Sequence, residues 1–284
     1  MPGIRYALES NIGLITLADK AGGNRLNDQS LSELQQSLEM AIADPSVRVI
    51  VIRAAGGPGA PWCLGMDLDK LGSSLGQQAQ GSPQILREGR AMAVRLYGEV
   101  LQTISNCDKP VVACIGGPVK AGGVGLAAAC DIIVASTSAS FELSEVLFGL
   151  IPANVLPVLI GRRMSPQRAR WLILSAKLLS ASEAFSVGLA DEIPSDENAE
   201  SAIKGLCKAL LRGEPGALAH AKHFIDEIDR LDAETGRVAA RTKLLELMER
   251  PEVAAALAAF GEGSTPAWFA KVKPSQALFW EKED

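Results

Sequence analysis

"AGGVGLAAACDII", residues 121–133, runs from a glycine-rich turn into an apolar helix, which leads directly into the strand "DIIVAS". Gly122, Gly123 and Gly125 lie where this helix begins, although glycine inside a helix costs about 1 kcal/mol relative to alanine. Several residues without a side chain at a helix start indicate that the backbone must come close to another group. The stretch therefore leaves two things to explain: what approaches positions 122 and 123, and what is missing from position 125.

Strands and helices alternate on either side of this stretch. The runs "VRVIVIRAA" and "KPVVACIGG" have the composition of buried strands. Helical patterns precede each of them, in "SLSELQQSLEMAIADP" and "ILREGRAMAVRLYGEVLQTISNC". This alternation predicts an α/β fold with a parallel sheet and crossover helices, followed by a mostly helical part after Ser165.

Two strand exits are rich in glycine: "CLGMD", residues 63–67, and "KAGGVG", residues 120–125. Ligands of such sheets lie beyond the carboxyl ends of the strands, where a helix start exposes backbone N–H groups. Together the two loops can direct N–H donors at one developing oxyanion. A tight strand-to-helix turn is the alternative for either loop alone. A phosphate site is less favoured, because neither GxxxxGK[ST] nor GxGxxG is present.

The composition is that of an ordinary globular protein, with 284 residues, 48% apolar residues, 21% charged residues and a net charge of −5. A negative chain offers no basic field for nucleic acid or anionic membranes, and no apolar run is long enough to span a bilayer. The N-terminal residues lack the pattern of a secretory signal. Five cysteines without a CxxC pair predict reduced thiols and a cytoplasmic location. The two histidines, His220 and His223, are expected on a helix surface and give no basis for a metal site.

Three segments carry a resemblance to a known family: "WCLGMDLDKL", "KPVVACIGGPVKAGGVGLAAACDIIVASTSASFELSEVLFGLIP" and "LSASEAFSVGLADEI". In combination they resemble the crotonase superfamily, the enoyl-CoA hydratases and isomerases. The resemblance implies a crotonase-like ββα superhelix core, residues 1–200, and a helical C-terminal trimerisation region, residues 201–284. It also implies a homotrimer or a dimer of trimers. The substrate would be an acyl thioester on CoA or phosphopantetheine, with no further cofactor.

The resemblance assigns roles to residues of both glycine-rich loops. The N–H groups of Met66 and Gly122 would hold the thioester carbonyl oxygen as the substrate becomes an enolate. Gly65, Gly123 and Asp67 would line the same site. For Asp67 we expect instead the alternative role, a cap of the next helix.

The chain departs from ordinary hydratases at one catalytic position. Gly125 stands where they carry a glutamate, whereas Glu145, in "FELSEVLFGL", matches their second glutamate. Burial among these apolar residues raises a carboxyl pKa and suits Glu145 to proton transfer. A solvated or capping carboxylate is the alternative. Glu142, three residues earlier, is a candidate for the missing acid.

The departures themselves have a pattern. "CLGMD", "AGGVG" and "LFGLIPANVLPVLI" are similar to the dehydratases of polyketide β-branching. That resemblance implies dehydration of a 3-hydroxy-3-methylglutaryl group on an acyl carrier protein to the 3-methylglutaconyl thioester. Two alternatives stay open: an acyl-CoA hydratase or double-bond isomerase, and a non-catalytic crotonase-fold protein that binds partners.

Basic residues are candidates for holding the acyl group and its carrier. Lys120 either receives the distal carboxylate of a methylglutaryl group or is a surface lysine. Arg25, in "RLN", matches the family segment at the nucleotide end of the ligand groove. The arginines of "GRRMSPQRAR" form either a solvated face or a docking surface for an acidic carrier protein. They are Arg162, Arg163, Arg168 and Arg170.

Two more segments carry structural predictions. The C-terminal tail is too apolar to be exposed, so we expect its aromatic side chains at a subunit interface or over the acyl pocket. They are Phe260, Trp268, Phe269 and Trp280. The segment "LGSSLGQQAQGSP", residues 71–83, is poor in apolar residues and is expected to be a mobile lid over the acyl chain.

Overall fold

The computed structural model describes residues 3–67, 83–271 and 273–280. The predicted lid lies outside these residues except for Pro83, where a helix begins. None of the described helices is long and apolar enough to cross a membrane.

Two sheets organise the described part of the chain. In chain order the strands are β1 (Ile4–Glu9), β2 (Ile12–Leu17), β3 (Val49–Ala54), β4 (Val111–Ile115), β5 (Pro118–Lys120), β6 (Ile132–Ala135), β7 (Ser140–Glu142) and β8 (Leu179–Ser180). The main sheet has the order β1-β2-β3-β4-β6, and the smaller sheet has the order β5-β7-β8. β1 and β2 are antiparallel, and the other pairs of the main sheet are parallel. The predicted parallel sheet is confirmed.

Helices connect the parallel strands. In chain order they are α1 (Asp28–Ala43), α2 (Pro83–Ser105), α3 (Gly122–Ala129), α4 (Val155–Arg162), α5 (Pro166–Ser175), α6 (Ala181–Ser186), α7 (Ala199–Leu210), α8 (Pro215–Ile228), α9 (Ala233–Met248) and α10 (Pro251–Gly261). The first three are the crossovers of the main sheet, as the alternation predicted. α1 begins where it does because the Asn27 side chain accepts a hydrogen bond from the Ser30 N–H at 3.0 Å.

Both faces of the main sheet are buried. The leucines of α1 and the apolar residues of α2 and α3 cover one face. On the other face, Val51 of β3 lies in one cluster with Ile203 of α7 and with Phe279 of the tail. The predicted domain boundary between residues 200 and 201 falls inside α7, and the division into two parts stays a prediction.

The end of the chain packs on this chain's own sheet. Arg53 of β3 is buried and donates to the carbonyl of Trp280 at 2.9 Å. Glu200 accepts hydrogen bonds from the N–H groups of Leu278 and Phe279, at 3.0 and 2.9 Å. The expectation that Trp280 lies at a subunit interface or over the acyl pocket is corrected, because these polar anchors hold the tail against the sheet.

The other three aromatic side chains of the tail divide into two groups. The Trp268 indole donates to the carbonyl of Arg212 at 3.2 Å, and the Arg212 guanidinium lies 5.3 Å from the centre of the Phe269 ring. Trp268 and Phe269, which are half-buried, therefore also have partners within the chain. Phe260, on α10, is 81% exposed. For these three residues the interface expectation stays a prediction.

Candidate active site

The first glycine-rich loop is held against the segment before α1. The Leu26 N–H donates to the carbonyl of Gly65, and the Asp67 N–H donates to the carbonyl of Leu26, both at 2.8 Å. Successive peptide groups of an extended segment point to opposite sides, so the N–H of Met66 faces away from Leu26. Gly65 has a φ of +85°, a conformation that other residues adopt only with strain. The loop therefore presents the Met66 amide, as an oxyanion donor requires.

The second glycine-rich loop starts α3 with an unusual backbone. Ala121 has a φ of 49°, and its N–H is bonded to the carbonyl of Glu142 at 2.8 Å. Gly122 is the first residue of α3, where N–H groups have no partner within the helix. A Cβ built on Gly65 would lie 2.9 Å from the Ala121 Cβ and 3.3 Å from the Gly122 nitrogen. The two loops therefore abut at the N-terminus of α3, where the helix dipole favours negative charge.

The three glycines of α3 lack side chains for different reasons. A Cβ on Gly123 would overlap the carbonyl oxygen of Cys63, and a Cβ on Gly125 would overlap the Tyr97 hydroxyl. A Cβ on Gly122 would find its nearest atoms at 3.5 Å, which is ordinary van der Waals contact. Packing therefore accounts for Gly123 and Gly125, and nothing in the described residues demands a glycine at 122. Of the three, only Gly122 fits the expectation of backbone kept bare for an approaching ligand.

Glu145 begins the 3-10 turn Glu145–Phe148. Its carbonyl accepts a hydrogen bond from the Leu150 N–H at 3.1 Å, which fixes the backbone at the start of this turn. One carboxylate oxygen, Oε2, is buried and has no hydrogen-bond partner among the described residues. Burial raises the pKa of Glu145, and a hydrogen bond with its own backbone opposes the rise. A half-buried carboxylate of this kind is suited to take up and release a proton, and the catalytic role of Glu145 stays a prediction.

Lys120 and Glu142 form an ion pair. They face each other in the parallel register of β5 and β7, with 2.8 Å between Nζ and Oε2. The Lys120 side chain is 45% exposed and the Glu142 side chain is 17% exposed. Glu142 is therefore already engaged by a cation, which weakens its candidacy as the missing acid, and Lys120 stands at the edge of the second loop with its charge partly balanced.

Arg25 is exposed and borders a cavity of about 350 Å³. Asn24 lines the same cavity and donates to the carbonyl of Pro61 at 2.9 Å. This hydrogen bond connects the cavity wall to the segment that leads into the first glycine-rich loop. A cavity of this size admits part of a ligand. The helix that Asp67 was expected to cap lies outside the described residues.

Arg162 and Arg163 fasten the other end of α3. Arg162 pairs with Asp131 at 2.9 Å, and Arg163 pairs with Asp191 at 2.7 Å. Both also donate to carbonyls of the last turn of α3, at 3.2 and 3.4 Å, which satisfies groups that lack a partner within the helix. The prediction that these two arginines form a docking surface is wrong, because their side chains are turned inward. The other two arginines of the cluster, Arg168 and Arg170, are exposed.

Tyr97 is the site residue that sequence reasoning missed. It lies on α2, its side chain is buried, and its hydroxyl donates to the carbonyl of Gly122 at 2.6 Å. Burial raises its pKa well above the usual value for a phenol, and the nearby Cys63 and Glu145 raise it further. The available signal was a tyrosine on the apolar face of an amphipathic helix, because a buried phenol needs a hydrogen-bond partner.

Sequence comparisons identify the family and several relatives. The profile of the enoyl-CoA hydratase/isomerase family matches residues 7–271. The bacillaene synthase dehydratase PksH of Bacillus subtilis is 31% identical over 230 residues, which are 80% of this chain and 81% of that protein. The mitochondrial methylglutaconyl-CoA hydratase of Mus musculus is 28% identical over 271 residues, which are 93% of this chain and 82% of that protein.

Solved structures share the architecture. A Legionella pneumophila protein assigned to the enoyl-CoA hydratase/isomerase (crotonase) group is 30% identical with a TM-score of 0.82, covering 94% of this chain and 99% of that one. An enoyl-CoA hydratase/isomerase from Marinobacter aquaeolei has a TM-score of 0.83 at 24% identity, covering 95% and 100% of the two chains. The predicted crotonase-like fold is confirmed. Since the family profile also matches most of its length, the chain belongs to the enoyl-CoA hydratase/isomerase family.

Proposed function

We propose that the protein dehydrates a 3-hydroxy-3-methylglutaryl thioester, carried on an acyl carrier protein, to the 3-methylglutaconyl thioester. The observation that carries the proposal is the buried carboxylate oxygen of Glu145, which has no hydrogen-bond partner among the described residues, in a site where Gly125 stands in place of the second carboxylate. At the level of the family, the relatives named above are hydratases and a dehydratase, which supports lyase chemistry of this kind.

The mechanism uses one carboxylate twice. The N–H groups of Met66 and Gly122 bind the thioester carbonyl oxygen and stabilise the negative charge that develops on it. The Glu145 carboxylate takes the proton from C2, and the electron pair of the C–H bond forms the enolate. The enolate then collapses, the C3–O bond breaks, and Glu145 returns its proton to the departing hydroxyl. The products are water and the enoyl thioester, with Glu145 ionised again, and both transfers take place on one face of the substrate.

Two observations support a methylglutaryl acyl group. The name of the mouse relative identifies methylglutaconyl-CoA as its substrate, which is the same acyl group that the proposed dehydration forms. A methylglutaryl group carries a distal carboxylate, and Lys120 is a half-exposed cation at the edge of the second loop. We assign substrate contacts to Lys120, to the backbone of Gly65 and Gly123, and to Arg25 at the carrier end of the groove.

Assembly and location are also proposals. Exposed apolar side chains follow Glu145 on the 3-10 turn, with Phe148 at 73% exposure, and others lie on α5 and α6. They support a homotrimer or a dimer of trimers, in which these faces are covered. All five cysteines are free and buried, which is consistent with a reducing, cytoplasmic compartment.

A panel of thioesters tests the function. The 3-hydroxy-3-methylglutaryl group is offered on an acyl carrier protein and on CoA, beside crotonyl-CoA and a 3-enoyl-CoA. We expect the fastest turnover with the carrier-bound group and a loss of at least about a hundredfold in kcat for Glu145→Gln. Undiminished turnover in a folded Glu145→Gln variant would exclude the assignment.

A second candidate function is hydration of an acyl-CoA. It is favoured by the length of the match to the mouse hydratase, 93% of this chain. Equal turnover of the CoA-bound and carrier-bound substrates would favour this candidate, and faster turnover of crotonyl-CoA or the 3-enoyl-CoA would favour an ordinary hydratase or isomerase. No turnover of any thioester would favour a non-catalytic binding protein.

A further inference from the structure

Tyr97 contacts Gly122, one of the two proposed oxyanion donor residues. Its hydroxyl donates to the carbonyl of Gly122 at 2.6 Å, and a Cβ on Gly122 would lie 3.5 Å from the same hydroxyl. Gly122 is the residue whose N–H is one of the two proposed oxyanion donors. The phenol therefore contacts the donor residue itself.

The hydrogen bond from Tyr97 is not needed to satisfy the Gly122 carbonyl. In an α-helix, the carbonyl of the first residue already accepts the N–H of the residue four positions later. What Gly122 lacks is a restraint, because a glycine has the widest choice of backbone angles and Ala121 before it holds a left-handed φ of 49°. A second, short hydrogen bond from a buried side chain supplies that restraint.

Tyr97 also occupies the place of the absent carboxylate. A Cβ on Gly125 would overlap the Tyr97 hydroxyl and would lie 2.8 Å from Cγ2 of Val155. A glutamate at position 125 and a tyrosine at position 97 are therefore mutually exclusive without movement of α2 or α4. The raised pKa of Tyr97 keeps the phenol protonated, so it remains a donor while Glu145 changes its charge.

We propose that Tyr97 is a positioning residue of the oxyanion hole: its hydroxyl holds the carbonyl of Gly122, which restrains the backbone of the residue whose N–H binds the thioester oxygen, and it fills the volume left by Gly125. The inference rests on the proposed use of the Gly122 amide as an oxyanion donor. It makes no claim about the acyl group or its carrier.

The first test removes only the hydroxyl, in Tyr97→Phe. We expect kcat to fall between about tenfold and about a hundredfold, because a displaced donor loses stabilisation mainly in the transition state, and KM to stay within about twofold. Tyr6→Phe is the matched control. The Tyr6 hydroxyl is also buried, it has no hydrogen-bond partner among the described residues, and it lies on β1. This control should keep the wild-type kcat.

A vibrational measurement separates positioning from a structural role. Infrared difference spectra of crotonyl-CoA labelled with ¹³C at the thioester carbonyl report how strongly the bound oxygen is polarised. We expect the wild type and Tyr6→Phe to lower the carbonyl frequency and Tyr97→Phe to lower it less. A wild-type shift that Tyr97→Phe reproduces in full overturns the inference alone. A wild type that binds the thioester without any shift overturns the proposed oxyanion hole, and this inference with it.

A double variant guards against a simple packing defect. In Tyr97→Phe/Gly125→Ala, the new methyl group no longer meets the hydroxyl, and of the two close contacts only that with Cγ2 of Val155 remains. We expect a higher Tm than for Gly125→Ala alone, while kcat and the carbonyl shift stay low, because the larger overlap is relieved and the hydrogen bond is not restored. Recovery of the wild-type kcat in the double variant would overturn the proposal and assign Tyr97 to packing.

Discussion

The two ends of helix α3 differ in how completely their polar groups are paired. At its N-terminus, Gly122 presents N–H groups without a partner in the helix, and Glu145 nearby has a buried oxygen without a hydrogen-bond partner in the described residues. At its C-terminus, Arg162 and Arg163 bond the last carbonyls and pair with Asp131 and Asp191, whose side chains are 12% and 41% exposed. Helix α3 is only eight residues long, yet its first N–H groups lack partners within the helix while its last carbonyls are bonded by arginines.

The difference between the two ends of α3 separates the groups that serve function from the groups that serve stability. Unsatisfied polar groups cost folding free energy, so a protein keeps them where a ligand will complete them. Satisfied buried ion pairs hold the helix in place, because removing one partner leaves the other charge buried. We therefore expect substitutions at the C-terminal end to change stability and substitutions at the N-terminal end to change catalysis.

The largest expected effect is at the C-terminal end, in Asp131→Asn. Asp131 accepts ion pairs from Arg162 at 2.9 Å and from Lys222 at 2.7 Å, and all three side chains are at most 15% exposed. Removing the charge leaves two buried cations, which costs about 3–5 kcal/mol of unfolding free energy. Urea denaturation measures this loss.

The control for Asp131→Asn is Glu246→Gln, which breaks the more exposed pair with Lys243 on α9 and should cost less than about 1 kcal/mol. Folded Asp131→Asn protein should retain kcat within about twofold for every substrate, because this end of α3 is remote from the amides. A loss of activity without a loss of stability would break the contrast between the two ends.

The next effect is at the N-terminal end, in Gly122→Ala. Its new Cβ meets protein atoms only at 3.5 Å, so the protein should fold with a Tm near that of the wild type. A methyl group in front of the helix obstructs the thioester oxygen, and we expect a loss of about a hundredfold in kcat/KM. Circular dichroism and steady-state kinetics measure the two quantities.

Gly123→Ala is the matched control for Gly122→Ala. Its Cβ would overlap the Cys63 carbonyl, a backbone group that cannot move aside cheaply, so stability should fall sharply. If Gly122→Ala destabilises the protein as much as Gly123→Ala does, the bare backbone at 122 serves packing, and the oxyanion assignment of Gly122 loses its support.

The sequence predicted the glycine loops and Glu145 because those features are local. A strand exit followed by glycines and a helix start is visible in the order of residues alone. It did not predict Tyr97 as a site residue, because Tyr97 reaches Gly122 from 25 residues away through a helix crossing. The predicted docking role of Arg162 and Arg163 failed for the same reason. Their aspartate partners lie 31 and 28 residues away in sequence, and only the fold turns the arginines inward. Ion pairs between residues distant in sequence decide whether a charged side chain is exposed to solvent or holds elements of the fold together.

A smaller effect concerns the stability cost of Glu145. Because burial raises its pKa, the folded state binds the proton more tightly than the unfolded state. This contribution favours folding below the ordinary pKa of about 4.3 and is lost as the pH rises through the raised value. Glu145→Gln should therefore raise Tm at neutral pH, and the gain should shrink as the pH is lowered toward about 4. Thermal scans of Glu145→Gln beside Glu227→Gln, an exposed site on α8, measure the difference. Equal Tm changes at all pH values would mean that Glu145 is not strained by burial.

The smallest effect concerns the ion pair at the edge of the second loop. Lys120 is held by Glu142 at 2.8 Å, so a distal substrate carboxylate must compete with Glu142 for this cation. A half-exposed pair is worth at most about 1 kcal/mol, so Glu142→Gln should lower KM for a methylglutaryl thioester by up to about fivefold. Lys120→Met should raise that KM by a similar factor, and crotonyl-CoA, which has no distal carboxylate, should serve as the internal control in both variants. If Lys120→Met changes KM for both substrates equally, the lysine supports the loop through Glu142 and does not read the acyl group.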